Sequence, residues 1–92
     1  MTAASAYVHA DGVSADDLGE QILLTTPAGA YLVLEGTAAA VWRLLDRARS
    51  LDDLVDACAR EYEGDRDQMR RDLDEVLREW AGRGLVAAAD AA

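Results

Sequence analysis

At Gly36 the spacing of apolar residues changes from that of strands to that of helices. Upstream, Ile22-Leu23-Leu24 and Tyr31-Leu32-Val33-Leu34 are runs of strand length on either side of Thr26-Pro27-Ala28-Gly29, a turn sequence, so this segment predicts a β-hairpin. Neighbouring side chains of a strand point to opposite faces, and Tyr31 and Val33 are as apolar as Leu32 and Leu34. A strand with one wet face needs only alternate apolar positions, so both faces of this one are expected to be covered. Downstream, Ala38, Val41, Trp42, Leu44 and Leu45 recur at helical spacing, with Thr37 set as N-cap and Asp46 and Arg47 ending the run. Ser50 followed by Asp53 is a capping-box signature, and Leu51, Leu54, Val55, Cys58, Ala59 and Tyr62 make one stripe behind it; Gly64 ends this second helix. Asp65, with Gln68 three residues on, caps a third helix whose stripe centres on Met69, Leu73, Val76 and Trp80 and stops at Gly82 and Gly84.

Met1 to Gly12 is small and polar apart from Tyr7 and Val8, which with His9 suit a short edge strand, and Leu85 to Ala88 suit another. The fold class predicted is α+β, like a winged helix-turn-helix. An N-terminal antiparallel β-sheet of two or three strands is followed by three α-helices, the first two joined by a short turn at Arg47 to Arg49. No repeat or linker divides the chain. Residues 1–92 are read as a single domain with its core over about residues 18–87 and loosely ordered termini.

A chain of 92 residues keeps a modest core and little room for a deep catalytic pocket. Nine arginines, without a lysine, face 18 Asp and Glu, and the net charge of -9 repels phosphate backbones and anionic lipid, so neither nucleic acid nor membrane is an expected partner. A winged-helix regulator would present a basic recognition face. Here the second helix sets Asp52, Asp53, Asp56 and Glu61 against Arg60, and acidic residues interleave the arginines of the third. No apolar stretch approaches the length of a membrane span, and the lone Cys58 and the absence of an export signal fit a cytoplasmic protein.

The inventory also argues against catalysis. Cys58 lies within an apolar stripe, where a thiol behaves as a small hydrophobe. His9 is the only histidine, and no serine stands in a nucleophile-like context. One Cys and one His fall short of a zinc site, the carboxylates sit on solvated faces or first turns, and no phosphate-cradling glycine pattern occurs. Neither catalytic residues, nor a metal, nor a cofactor is expected. Ser50-Leu51 lacks the preceding aspartate of an acyl carrier, having Arg49 instead.

Taken in order, Ile22-Leu23-Leu24, the turn through Gly29, Tyr31 to Leu34, Gly36-Thr37-Ala38, Trp42-Arg43-Leu44-Leu45-Asp46, Ser50 to Leu54 and Gly84-Leu85-Val86 resemble the PqqD-like proteins. These are the recognition elements that bind precursor peptides in ribosomal peptide (RiPP) biosynthesis. The resemblance spans roughly Leu18 to Ala87; Leu34-Glu35 stands where the family has Leu-Asn, leaving the cap at Thr37. As a separate short chain it is most similar to the lasso peptide B1 branch, and in size to the PqqD-type chaperones of radical SAM enzymes. The resemblance implies a non-catalytic module that captures the leader region of a precursor and presents it to a separate B2-type leader peptidase and a cyclase. An acidic winged-helix adaptor remains the alternative.

The family's cleft between third strand and third helix corresponds here to Tyr31, Leu32, Val33 and Leu34 and to the segment from Met69 to Gly82. An edge strand with unpaired backbone groups accepts an extended peptide by strand addition, and side-chain pockets supply specificity. Leu77 and Ala81 extend the third-helix stripe toward Arg70 and Asp74. The leader is therefore expected to run antiparallel beside Tyr31 to Leu34 and to bury side chains against Leu73 and Leu77, with Ala81 flanking them and Arg70 or Asp74 reading polar groups at the rim. The competing reading, in which Leu77 is simply core, stays open.

Overall fold

A computed structural model describes residues 6–89. Six strands and three helices follow one another as β1 (Ala6–His9), β2 (Ser14–Asp17), β3 (Gln21–Thr25), β4 (Tyr31–Glu35), α1 (Gly36–Leu44), β5 (Arg49–Ser50), α2 (Leu51–Glu61), α3 (Arg66–Gly82) and β6 (Val86–Ala89). The strands form two antiparallel sheets, ordered β2-β3-β4 and β5-β1-β6. The expected hairpin is present as β3-β4, but its third strand is β2 and not the Tyr7-to-His9 stretch, which pairs in the other sheet as β1. The second sheet is additional, and it carries the fold upstream of Leu18.

The β3-β4 hairpin is built by its turn. The Gly29 amide donates to the Thr26 carbonyl at 2.9 Å, and Gly29 then adopts φ +89, a conformation that costs a glycine little. The Thr26 amide donates to the Ala30 carbonyl and the Thr26 hydroxyl accepts from the Ala30 amide, which fixes the register at Thr25 opposite Tyr31. Ile22, Leu24 and Leu34 point into the core, while Tyr31 and Val33 point away from it. Tyr31 is 72% exposed and Val33 52%, so among the described residues nothing covers the outer face of β4, contrary to the expectation of two covered faces.

Gly36 enters α1 at φ +58, turning the chain from strand to helix without an intervening extended residue. The capping position therefore falls on Glu35 and not on Thr37, which lies inside the helix. The Glu35 side chain accepts from the Gln21 side chain across the strand pair and makes no cap bond. The Glu found where the family has Asn is thus at the cap position itself. α1 ends at Leu44, short of Asp46 and Arg47, after burying Ala39, Val41 and Trp42.

The Ser50/Asp53 capping box forms in both directions and starts α2, which buries Leu54, Val55 and Cys58. The helix stops one residue before Tyr62, which is extended, 41% exposed and not part of the buried stripe. Asp65 caps α3 through the Asp67 amide, while Gln68 turns along the helix and donates to Asp72 at 2.8 Å. The buried line of α3 is Leu73, Leu77 and Trp80, with Met69 and Val76 only partly covered, so Leu77 and not Val76 sits on its axis.

β1 is not an edge strand. It lies between β5 and β6, and residues Met1–Ser5 of the same stretch are outside the described residues. The His9 ring stacks on Trp42 with centroids 3.8 Å apart, and its Nε2 donates to the Trp42 carbonyl at 2.7 Å. Trp42 in turn meets Trp80 edge-on at 5.8 Å, tying β1 to α1 and α3 through three rings.

Candidate functional site: an open strand edge beside the third helix

Among the described residues β4 pairs with one strand only, β3, which leaves its other edge without a strand partner. α1 packs on β3 and β4, whereas α3 packs on α2 and β6, leaving a groove between the free edge of β4 and α3. Two apolar hollows mark its ends. One, of 250 Å³, lies at the start of β4 and is lined by Ala30, Tyr31 and Leu32 together with Arg83 and Leu85 from the end of α3. The other, of 220 Å³, lies beyond the end of β4 and is lined by Thr37, Cys58, Tyr62, Met69, Asp72 and Leu73. Each is below the range of about 300–1,000 Å³ in which small-molecule and cofactor sites fall, and suits single side chains instead.

The first four candidate residues lie along the open edge. Leu32 lines a hollow, Tyr31 and Val33 face outward, and the Leu34 side chain is buried so that only its backbone is offered. Leu73 is brought to the groove. Leu77 is 0% exposed and belongs to the core, as the competing reading had it. Arg70 forms an ion pair with Asp52 of α2, Asp74 pairs with Arg78 at 3.1 Å, and Ala81 is exposed on the same flank. Arg70 and Asp74 therefore do not line either hollow. The flank that meets the groove carries Met69, Asp72, Leu73 and, past the helix end, Arg83. Met69 and Asp72 belong to the segment that the resemblance assigns to the cleft, whereas Tyr62 and Arg83, which also line the hollows, lie outside it, and helical periodicity alone does not say which margin of a stripe meets the sheet.

The chemistry of the groove is that of binding. Cys58, buried among apolar neighbours, has its thiol pKa pushed up by that burial, which keeps it protonated and unreactive. Among the described residues no cluster of His, Cys, Asp or Glu can hold a metal ion, and no helix is long and apolar enough to cross a membrane. The charged contacts lie elsewhere: the Arg43 guanidinium of α1 grips Asp17 of β2 at 2.7 and 2.9 Å and reaches the Gly19 carbonyl. That pairing, helped by the Gly19 amide, lowers the Asp17 pKa from 3.8 to about 2.

A family model described as Coenzyme PQQ synthesis protein D (PqqD) matches residues 20–86. The chain belongs to the PqqD family. Within that family it is similar to the solved structure "TbiB1 in Complex with the TbiA(beta) Leader Peptide", with a TM-score of 0.81 and 29% sequence identity over 86% of this chain and 93% of that one. It shares its fold with "Lasso peptide synthetase B1 complexed with the leader peptide", at a TM-score of 0.78 and 22% identity over 88% and 96% of the two chains. No curated protein matches the sequence. The matched PqqD segment begins at Glu20 and ends at Val86, so it contains β3, β4 and all three helices, the elements that bound the groove.

Proposed function

We propose that this PqqD-family chain is a non-catalytic leader-peptide-binding module of lasso peptide biosynthesis. It captures the leader of a ribosomally made precursor as an added antiparallel strand on β4 and presents it to separate enzymes, a B2-type leader peptidase and a cyclase, in the cytoplasm. The observation that carries this reading is the likeness, over most of both chains, to TbiB1, a protein solved with a leader peptide bound. The open edge of β4 supplies the mechanism. Backbone hydrogen bonds give the peptide affinity without regard to sequence, and the two apolar hollows give it specificity. The peptide-contacting residues in this reading are Tyr31, Leu32 and Val33 with the backbone of Leu34 on one wall, and Leu73, Met69 and Asp72 on the other.

The family match also favours a second reading, that of a chaperone presenting its peptide to a radical SAM enzyme. Neighbouring genes for a transglutaminase-like protease and an asparagine-synthetase-like cyclase would select the first, and a radical SAM gene the second. The direct test is amide hydrogen exchange with and without the leader of the precursor encoded beside this chain. Protection is expected in β4 and not in β2; protection in β2, or none in either strand, overturns strand addition at β4.

A further inference from the structure

Each hollow at the ends of the groove contains one charged residue, and the two have opposite signs. Arg83 is the charged residue lining the hollow at the start of β4, and Asp72 that of the hollow beyond its end. We propose that this pair of charges sets the composition of the captured peptide. The site would select extended segments with a basic residue on the N-terminal side of an apolar stretch and an acidic residue on its C-terminal side. The proposal rests on the strand-addition reading and adds a specificity that backbone pairing lacks.

The direction follows from the sheet. β2, β3 and β4 are antiparallel throughout, and antiparallel pairing is the more stable arrangement per residue. A strand added antiparallel to β4 has its N-terminal part beside Glu35 and Thr37, near Asp72, and its C-terminal part beside Tyr31, near Arg83. Each charged group already has a neighbour and keeps capacity for a further partner. Asp72 accepts from the Gln68 side chain at 2.8 Å, the other end of which accepts from Arg71 at 3.0 Å, and Glu35, at the same end of β4, is also acidic. Arg83 is held by Glu79 through its Nε and one Nη at 3.1 Å, which leaves its other N–H donors free, and Glu79 itself does not line the hollow. Nothing charged comes from the Thr26-to-Ala30 side of that hollow. The five residues of β4 span roughly 17 Å at about 3.4 Å per residue, so the two selected charges stand about five residues apart. A peptide threaded in parallel meets both charges with the wrong sign.

The experiment is selection of a displayed library of random twelve-residue peptides on the full chain, read by sequencing. Enriched peptides are expected to carry Lys or Arg before the apolar stretch and Asp or Glu after it. Arg83→Glu should invert the C-terminal preference alone, and Asp72→Lys the N-terminal one. Arg83→Gln and Asp72→Asn, which remove each charge without creating repulsion, should erase the corresponding preference. By titration with an enriched peptide, each neutral variant should lose about threefold in affinity, the scale of an exposed ion pair. Enriched apolar peptides with no charge asymmetry, with the reverse asymmetry, or with a preference indifferent to Arg83 and Asp72 overturn the proposal while leaving strand addition standing. Failure to enrich any extended apolar peptide overturns the strand-addition reading itself.

Discussion

The β2-β3-β4 sheet has two edges, and they are built in opposite ways. β2 reads Ser14-Ala15-Asp16-Asp17 and is exposed along its whole length; β4 reads Tyr31-Leu32-Val33-Leu34-Glu35, with no charge until its last residue. Bare strand edges invite pairing with other chains, and charged side chains are a common protection against it. Asp16 supplies that protection on the outer face of β2, opposite Leu23, while Asp17 is clamped by Arg43 of α1. β4 has no comparable guard. A sheet that blocks one edge and leaves the other open beside two side-chain-sized hollows directs any added strand to one place.

Substitutions can break that comparison, beginning with the residue whose loss should cost most. Leu77 is core and not cleft, so Leu77→Ala should destabilise the domain by about 2–5 kcal/mol. In a domain of this size each kcal/mol moves the melting temperature by about 4–8 °C. Thermal denaturation followed by circular dichroism checks this, and an unchanged melt would return Leu77 to the groove. Val33→Asp transfers the guard of β2 to β4. Because Val33 points outward, melting should hold while leader affinity in calorimetric titration falls at least about tenfold, or about 1.4 kcal/mol. Retained affinity would mean that the leader does not use this edge.

The converse change, Asp16→Val, removes the guard from β2 and lines up an apolar row with Leu23 and Val33. Sedimentation should then show concentration-dependent self-association stronger than that of the parent chain; no increase at high concentration would show that the charge is not what protects the edge. The smallest effect is expected for Asp17→Asn. The folded Asp17 carboxyl titrates at about 2 instead of 3.8, so its pairing contributes stability that is fully present above the ordinary value and lost as the pH falls through the folded one. Melting of the variant should be slightly below that of the parent at neutral pH and converge with it near pH 2. A constant gap across that window would assign the effect to packing and not to charge.

Local sequence revealed the parts of the molecule that are locally determined. The hairpin is written in its turn, and α2 in its capping box and stripe. β2 was invisible because no side chain on it is buried: it is a strand only through the backbone bonds β3 offers it. The central place of β1 was equally hidden, since its partners, β5 and β6, are distant in sequence and leave no periodic trace. The strand at Tyr31 to Leu34 was legible from four consecutive apolar residues, but its place at the edge came only from the family resemblance, and the two covered faces that the run suggests are not found. On the opposite wall the stripe alone does not choose a margin: Arg70 and Asp74 pair with Asp52 and Arg78, while Asp72, two residues from each, lines the hollow beyond β4.

The second sheet has a consequence for how such a domain can be carried within larger proteins. Ala6 and Ala89 are register partners at the end of the β1-β6 ladder, so the described chain enters and leaves at neighbouring points, about 5 Å apart. Those points belong to the sheet that does not contain β4. A host polypeptide can therefore interrupt one of its loops with this unit, or extend from either end of it, without spreading the loop and without crowding the binding edge. The same arrangement makes the fold portable as a cassette, able to serve as a free subunit or as an inserted module.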